Sequence, residues 1–140
     1  MLDTDVLSEL LLVRPDALVS AWFEAQPVST LHASSITVAE IVYGLRIMPQ
    51  GQRRESLRTR FELFLREAFP NRVMGFDEHA ARAYGDILGA RRDMGRPMNI
   101  PDGQIAAIAQ VNGLVLATRN VRDFENIGLE LINPFDSRNA

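Results

Sequence analysis

Short apolar segments alternate with longer amphipathic segments along almost the whole sequence. Leu114–Thr118 is an apolar run of the kind that forms a strand buried on both faces of a parallel sheet. Arg53–Phe69 instead carries apolar residues at the spacing of an amphipathic helix and ends before Pro70. Because parallel strands separated by helices need crossover connections, this order predicts an α/β fold in three layers, α/β/α, with a mainly parallel central sheet.

The other elements follow from the same patterns, with Pro, Gly and capping residues as their boundaries. The predicted strands are Met1–Thr4, Leu31–Ser34, Arg72–Phe76, Leu114–Thr118 and Leu129–Ile132. The predicted helices are Val6–Val13, Ala17–Ala25, Val38–Ile47, Arg53–Phe69, Glu78–Met94 and Pro101–Val111. The sequence contains neither a repeat nor a long linker, so we expect a single domain over residues 1–140.

The composition excludes several classes of function. There is no cysteine, which rules out thiol catalysis, thiolate zinc sites and disulfides. All 15 residues in the Lys and Arg count are Arg, so lysine chemistry is also absent. Since no apolar run approaches the roughly 20 residues of a membrane span and the N-terminus lacks a basic signal segment, we expect a cytoplasmic protein without membrane contact.

Acidic and amide side chains fall just beyond predicted strands or in the first turns of helices. These side chains are Asp3, Asp5, Glu40, Asp102, Asn120 and Asp123. The carboxyl ends of parallel strands meet at one edge of a sheet, where ligands bind in open α/β folds. We therefore expect several of these side chains to lie close together.

Each position also has a purely structural interpretation. Asp3 or Asp5 can cap the first helix. Thr37 and Glu40 have the spacing of a capping box. Asp102 complements the dipole of the helix it opens. Asp123 can likewise cap a turn, so it is the combination of acids, more than any single one, that points to a functional site.

A group of buried carboxylates requires a cation, because burying several negative charges together is very costly. With no cysteine and 2 histidines, the donor set is oxygen, which suits Mg²⁺ or Mn²⁺. Such a site supports attack of water on a phosphodiester. The net charge of −3 becomes +1 once four acids are assigned to a metal, which is compatible with a polyanionic substrate.

Four ordered motifs and the C-terminal segment resemble those of PIN-domain ribonucleases, in particular the VapC branch of toxins. No single motif is specific, but all of them occur in order and span nearly the whole chain. They are Leu2–Glu9, Ser34–Ile41 with Gly44, Pro101–Ala107, Ala117–Phe124 and Gly128–Phe135.

The resemblance implies an Mg²⁺- or Mn²⁺-dependent endoribonuclease, the toxin of a bacterial type II toxin–antitoxin pair, which inhibits translation by cutting RNA. It also implies a homodimer that a small cognate antitoxin holds inactive. Contact with operator DNA would be made only through that antitoxin.

The same resemblance assigns roles to individual acids. Asp3, Glu40 and Asp102 match the first three metal-binding acids of the family. The fourth position is divided between Asn120, which stands where the family often has Asp, and Asp123, three residues on. The candidate catalytic residues are therefore the four acids, and the candidate metal ligands are these four together with Asn120.

Substrate positioning requires cations, and Arg is suited to bidentate phosphate contacts. Arg91, Arg92 and Arg96 precede the Asp102 motif, and a solvated helix face is their alternative interpretation. Arg119 and Thr118 belong to the fourth motif and complete the candidate substrate-positioning set.

Two alternative functions remain open on sequence grounds. The first is a PIN-fold binding or regulatory component with weak or no catalysis, which the Asn at position 120 permits. The second is a haloacid-dehalogenase-like phosphatase, because Asp3-Thr4-Asp5-Val6 also fits the opening of that family, in which the first Asp is a nucleophile.

Overall fold

A computed structural model of the chain describes residues 1–139, most of which are helical. The helices are α1 (Thr4–Leu10), α2 (Ala17–Glu24), α3 (Ser35–Ile47), α4 (Gln52–Ala68), α5 (Glu78–Asp93) and α6 (Ile100–Val111). The strands are β1 (Ala33–Ser34), β2 (Val73–Met74), β3 (Leu116–Ala117) and β4 (Leu131–Ile132). Short 3₁₀ turns occupy Val28–Thr30, Val121–Phe124 and Ser137–Asn139. Within residues 1–139, no helix is long and apolar enough to cross a membrane.

The strands form two parallel pairs, β1 with β2 and β3 with β4. The N-terminal segment, Met1–Asp3, lies between the two pairs. The amide of Leu2 donates to the carbonyl of His32 at 2.9 Å, and the amide of Asp3 donates to the carbonyl of Ala117 at 2.9 Å. The order across the sheet is therefore β2, β1, the N-terminal segment, β3 and β4, and the predicted parallel pairing is confirmed.

Helices cover both faces of this sheet, as the side chains of its two central segments show. Met1 and Leu116 pack in one buried cluster with α5 and α6. Their chain neighbours Leu2 and Ala117 pack in a second cluster with α1 to α4. Since successive residues of a strand point to opposite faces, the two clusters are the two sides of one sheet. The predicted α/β/α arrangement is confirmed.

The N-terminal segment and β3 are neighbours in the sheet, but the chain leaves them in opposite directions. The first leads through α1 and α2 to β1 on one side, and β3 leads to β4 on the other. A reversal of this kind opens a crevice beyond the carboxyl ends of the two strands, where open α/β sheets bind ligands. Asp3 and Thr118 are the first residues beyond these two ends.

The strands are shorter than predicted, and the first helix spans Thr4–Leu10 where Val6–Val13 was predicted. Two of the boundary errors concern a helix cap. The predicted strand Met1–Thr4 is reduced to a single bridge at Leu2, because Asp3 already caps α1. The helix predicted to start at Val38 begins three residues earlier at Ser35. Ser34 caps it by accepting a 3.0 Å hydrogen bond from the amide of Thr37, so the capping box predicted for Thr37 and Glu40 does not exist.

Candidate active site

Asp3 lies at the base of the crevice and is 5% exposed. Its Oδ1 accepts a 2.8 Å hydrogen bond from the amide of Thr4, as the cap of α1. Its Oδ2 accepts a 2.8 Å hydrogen bond from the hydroxyl of Thr118. None of the ion pairs formed within residues 1–139 involves this carboxylate. Asp3 is therefore a buried acid that is hydrogen-bonded but not neutralised.

Burial raises the pKa of the Asp3 carboxyl from 3.8 to about 6. The hydrogen bonds from Thr118 and Thr4 oppose this rise because they favour the ionised form. The negative charges of Asp5 and Asp102 add to it. A carboxylate in this position gains strongly from any cation that binds beside it.

Thr118 holds Asp3 in place. Its side chain is completely buried, and its hydroxyl accepts a 3.0 Å hydrogen bond from the amide of Asn120 while it donates to Asp3. Both hydrogen-bonding directions of the hydroxyl are thus used inside the protein. Thr118, predicted to position substrate, directs its hydroxyl to Asp3 in this structure.

Glu40 reaches the site from the second turn of α3, where it is exposed. Its Oε1 accepts a 2.7 Å hydrogen bond from the hydroxyl of Thr4. That hydroxyl also lies 2.9 Å from the hydroxyl of Thr37, which is fully buried. Because Thr4 has one proton and gives it to Glu40, Thr37 must donate to Thr4. Two threonines therefore connect Glu40 to the protein interior.

Asp102 is held at the start of α6 by the cap of that helix. Asn99 caps α6 through its Oδ1, which accepts a 2.9 Å hydrogen bond from the amide of Asp102. Its Nδ2 donates a 2.8 Å hydrogen bond to the Asp102 carboxylate. The same two residues thus fix the helix end and the direction of the acid.

The charge environment of Asp102 shows which other acids share its space. Burial is the largest cause that raises the pKa of Asp102, and the hydrogen bond from Asn99 opposes it. The negative charges of Asp123, Glu40 and Asp5 raise the pKa further. Acids from three other segments therefore lie near enough for their charges to act on Asp102.

Asn120 and Asp5 form a direct pair across the crevice. The Nδ2 of Asn120 donates a 2.5 Å hydrogen bond to Oδ2 of Asp5, which lies in the first turn of α1. The interpretation of Asp5 as a helix cap is wrong, since Asp3 caps that helix. Asp123 stands on the 3₁₀ turn that follows Asn120, with its side chain exposed.

Arg91, predicted as a substrate-positioning residue, is buried in the structure. It is 4% exposed, and its guanidinium donates to the carbonyls of Arg96 at 2.7 Å, Asp123 at 2.8 Å and Glu125 at 3.2 Å. A side chain that is buried and engaged by three carbonyl oxygens is not accessible to a phosphate. Its place in the structure is internal.

The other predicted arginines differ in how firmly they are held. Arg92 is exposed, and its side chain forms no hydrogen bond or ion pair with any part of the described chain. Arg96 is half-buried, donates to the carbonyl of Arg122 at 3.0 Å and lies 3.5 Å from the carboxylate of Glu125. Arg119 is exposed, with its guanidinium 3.7 Å from the centre of the Phe135 ring and 3.8 Å from the carboxylate of Glu9.

The carboxylate and amide oxygens of the crevice suit a hard divalent cation in an open site. Asp3 and Asp102 would gain from a positive charge beside them, as their raised pKa values show. Within residues 1–139, however, no three acidic or histidine side chains converge closely enough to enclose an ion. Mg²⁺ is commonly held through one or two carboxylates, with water and substrate oxygens completing its coordination. The open arrangement agrees with that mode.

Comparison with known proteins identifies the family of this chain. Residues 1–129 match the PIN domain family. The chain belongs to the PIN-domain family. The alternative of a haloacid-dehalogenase-like phosphatase is therefore wrong.

The relatives identify the VapC branch of PIN proteins. VapC ribonuclease Y4jK of Sinorhizobium fredii is 43% identical over 136 residues, which cover 97% of each chain. Toxin FitB of Neisseria gonorrhoeae is 33% identical over 135 residues, covering 96% of this chain and 97% of FitB. The structure of FitAB bound to an IR36 DNA fragment matches with a TM-score of 0.90 and 32% identity, over 96% of this chain and 94% of the other.

Sequence reasoning left Asp5 between a helix cap and an added charge, and it missed two other residues that shape the site. Asp5 contributes a further negative charge, and Asn99 directs Asp102. Gly103 lets α6 approach α5, because a Cβ there would lie 2.4 Å from Cδ1 of Leu88. Asn99 carried a detectable signal, since it stands three residues before an acid at a helix start. The contact between Asp5 and Asn120 joins residues 115 positions apart and carried none.

Proposed function

We propose that this protein is a divalent-metal-dependent endoribonuclease, the toxin of a type II toxin–antitoxin module, and that it inhibits translation by hydrolysing RNA phosphodiester bonds. The observation that carries the proposal is the burial of Asp3 without a cationic partner, at a crevice that Asp102 and three further acids share. The ribonuclease name of the Sinorhizobium relative supports the same reaction.

In this proposal, Asp3, Glu40, Asp102 and Asp123 hold Mg²⁺ or Mn²⁺. Asn120 contributes its amide oxygen, since its amide nitrogen already donates to Asp5. When bound, the cation supplies Lewis-acid activation of water and neutralises charge on the phosphate. No side chain forms a covalent bond to the substrate.

The protein's own residues prepare the site for this reaction. Thr118 and the amide of Thr4 keep the Asp3 carboxylate ionised and fixed in direction. Thr4 orients Glu40, and Asn99 orients Asp102. These groups are in place before any ligand arrives, which lowers the cost of reorganisation during the reaction.

RNA binding in this proposal relies on arginines around the crevice. Arg92 is free to contact phosphate, Arg96 presents part of its guanidinium, and Arg119 is held over the Phe135 ring. Planar guanidinium groups bind phosphate oxygens in bidentate fashion. A single strand that crosses the crevice would meet these cations on either side of the acids.

The proposal extends to partners and location. The toxin name of FitB and the DNA-bound FitAB complex support a cognate antitoxin that holds this chain inactive and carries it to operator DNA. We propose a homodimer as the active form. We also propose that it acts in the cytoplasm, where translation takes place.

The direct test is cleavage of a long single-stranded RNA by the purified, antitoxin-free protein. Reactions contain Mg²⁺, Mn²⁺ or EDTA. We expect cutting with either metal and none with EDTA. Absence of cutting under all three conditions, together with absence of Mn²⁺ binding by protein with a folded circular dichroism spectrum, would contradict the proposal.

A calorimetric Mn²⁺ titration then distinguishes the remaining alternative. A PIN-fold binding component that has lost catalysis need not bind metal, whereas a nuclease with a narrow RNA target must still bind it. Mn²⁺ binding without cleavage of the first RNA therefore directs the search to other RNAs. Absence of Mn²⁺ binding favours the binding component.

A further inference from the structure

Arg91 connects the two segments that carry Asp102 and Asp123. It stands at the C-terminal end of α5. One bond of its guanidinium, from Nε to the carbonyl of Arg96, holds the loop that leads into α6 and Asp102. Bonds from Nη1 to the carbonyls of Asp123 and Glu125 hold the 3₁₀ turn and the residue beyond it.

The position of the Asp123 carboxylate depends on its main chain. Within the described residues, that carboxylate forms no hydrogen bond and no ion pair of its own, and it is exposed. Its main chain is held at two points, where the amide donates to the carbonyl of Asn120 at 3.0 Å and the carbonyl accepts from Arg91 at 2.8 Å. Arg91 is therefore the one side chain that fixes Asp123 in the described structure.

The chemistry of the contact requires arginine. A guanidinium presents donors in a planar fork and can bind several carbonyl oxygens that lie in different directions. A lysine ammonium at the same place carries its three donors on a single nitrogen and cannot span the same set of acceptors. The residue is 4% exposed, so water does not replace a lost bond.

We infer that Arg91 is a positioning residue for Asp123 and thereby sets the affinity of the crevice for a divalent cation. The inference rests on the proposed function, in which Asp123 is one of the residues that hold the metal. It assigns Arg91 to the metal site rather than to the RNA surface. Residues that support metal ligands in this way typically change metal affinity by about 10- to 100-fold when they are replaced.

The test compares Mn²⁺ affinity, measured by calorimetry, in the full-length wild-type protein and in Arg91→Lys and Arg91→Met. Arg82→Met is the matched control, because Arg82 lies on the same helix and is exposed in an ion pair with Glu78. We expect both Arg91 variants to bind Mn²⁺ about tenfold more weakly or worse, and the control to bind as the wild type does. Excess Mn²⁺ should restore the RNA cleavage rate, with the KM for RNA unchanged.

A double-mutant cycle separates positioning from general stability. In an Asp123→Asn background, Arg91→Lys should cause no further loss of Mn²⁺ affinity, because the residue acts through Asp123. Arg91→Lys is the variant used if Arg91→Met does not fold. Equal losses in both backgrounds would overturn the inference, and so would unchanged Mn²⁺ affinity with a raised KM for RNA. A wild-type protein that binds no Mn²⁺ would instead overturn the proposed function, and this role with it.

Discussion

The buried hydroxyl of Thr118 donates a 2.8 Å hydrogen bond to Oδ2 of Asp3. The bond joins the carboxyl ends of the N-terminal segment and β3, the two neighbouring segments from which the chain leaves in opposite directions. The same hydroxyl accepts from the amide of Asn120, so one small side chain organises both sides of the crevice. The candidate metal site and the central sheet therefore share a structural element.

Thr118→Val tests this relationship, because valine has nearly the same shape and no hydroxyl. Asp3 and the amide of Asn120 would each lose a partner in a dry environment, which costs about 1–3 kcal/mol of unfolding free energy per unsatisfied group. The pKa of Asp3 should rise further and Mn²⁺ affinity should fall. Urea denaturation and calorimetry measure the two effects.

Thr118→Ser is the matched control for that experiment. Serine keeps the hydroxyl, so it should retain most of the metal affinity. Equal metal affinity in the valine and serine variants would contradict the role assigned to the hydrogen bond.

The raised pKa of Asp3 predicts how stability depends on pH without metal. Folding raises this pKa from 3.8 to about 6, so the folded state binds the proton more tightly than the unfolded state does. The contribution to stability is fully present below pH 3.8 and is lost as the pH rises through about 6. Its size is roughly 3 kcal/mol, at about 1.4 kcal/mol for each pKa unit.

Urea denaturation in EDTA across this pH range, with Asp3→Asn as the control, measures that contribution. The control should lack the decline. In the wild type, Mn²⁺ should stabilise the protein appreciably only above about pH 6, where Asp3 is ionised. The account would be contradicted if the free energy of unfolding changed between pH 4 and 6 by the same amount in the wild type and in Asp3→Asn.

The pair formed by Asp5 and Asn120 predicts a compensating exchange. Asn120→Asp places two carboxylates at hydrogen-bonding distance, so it should lower the unfolding free energy in EDTA. The double variant, Asp5→Asn with Asn120→Asp, restores one donor and one acceptor and the original net charge. We expect a coupling energy of about 0.5–3 kcal/mol between the two sites. Strictly additive effects would show that the two side chains do not interact.

Gly103→Ala tests the close approach that positions Asp102. A Cβ at this position would lie 2.4 Å from Cδ1 of Leu88 and 3.0 Å from Cε2 of Tyr84. Overpacking of this kind costs about 1–3 kcal/mol, and any shift of α6 moves Asp102. We therefore expect lower stability together with slower RNA cleavage.

Gly89→Ala is the matched control, since it lies within α5 and a Cβ there meets nothing within 4 Å. Alanine in the helix interior should stabilise this variant by up to about 1 kcal/mol. If both alanine variants gained stability, α5 and α6 would not be packed as closely as described.

The architecture could be predicted from the sequence because the spacing of apolar residues shows which faces of the strands and helices are buried. Leu114–Thr118 reads as a doubly buried strand, and Leu116 and Ala117 are 0% and 2% exposed. Helix starts were harder to predict, because Ser34 and Thr37 each precede a possible first turn. The burial of Thr37 and its hydrogen bond to Thr4 favour the earlier start, and neither is visible in the local sequence.

The candidate acids could be predicted from strand ends and motifs, but their supporting residues could not. Arg91 has the same local sequence context as the exposed Arg92, and only the packing of α5 against the turn at Asp123 distinguishes them. The same holds for Asp5, whose partner is 115 residues away. Long-range pairing of polar groups is decided by the tertiary fold, and a single sequence carries little information about it.

The central claim is that RNA cleavage depends on the crevice acids, and the most direct test is Asp102→Asn. This variant is compared with Asp86→Asn, an exposed acid on α5, for RNA cleavage in Mn²⁺ and for stability in urea. The account predicts that Asp102→Asn folds at least as stably as the wild type, since a partly buried negative charge is removed, and that it does not cut RNA. It also predicts that Asp86→Asn cuts RNA as the wild type does. Cleavage by Asp102→Asn at the wild-type rate would contradict the account.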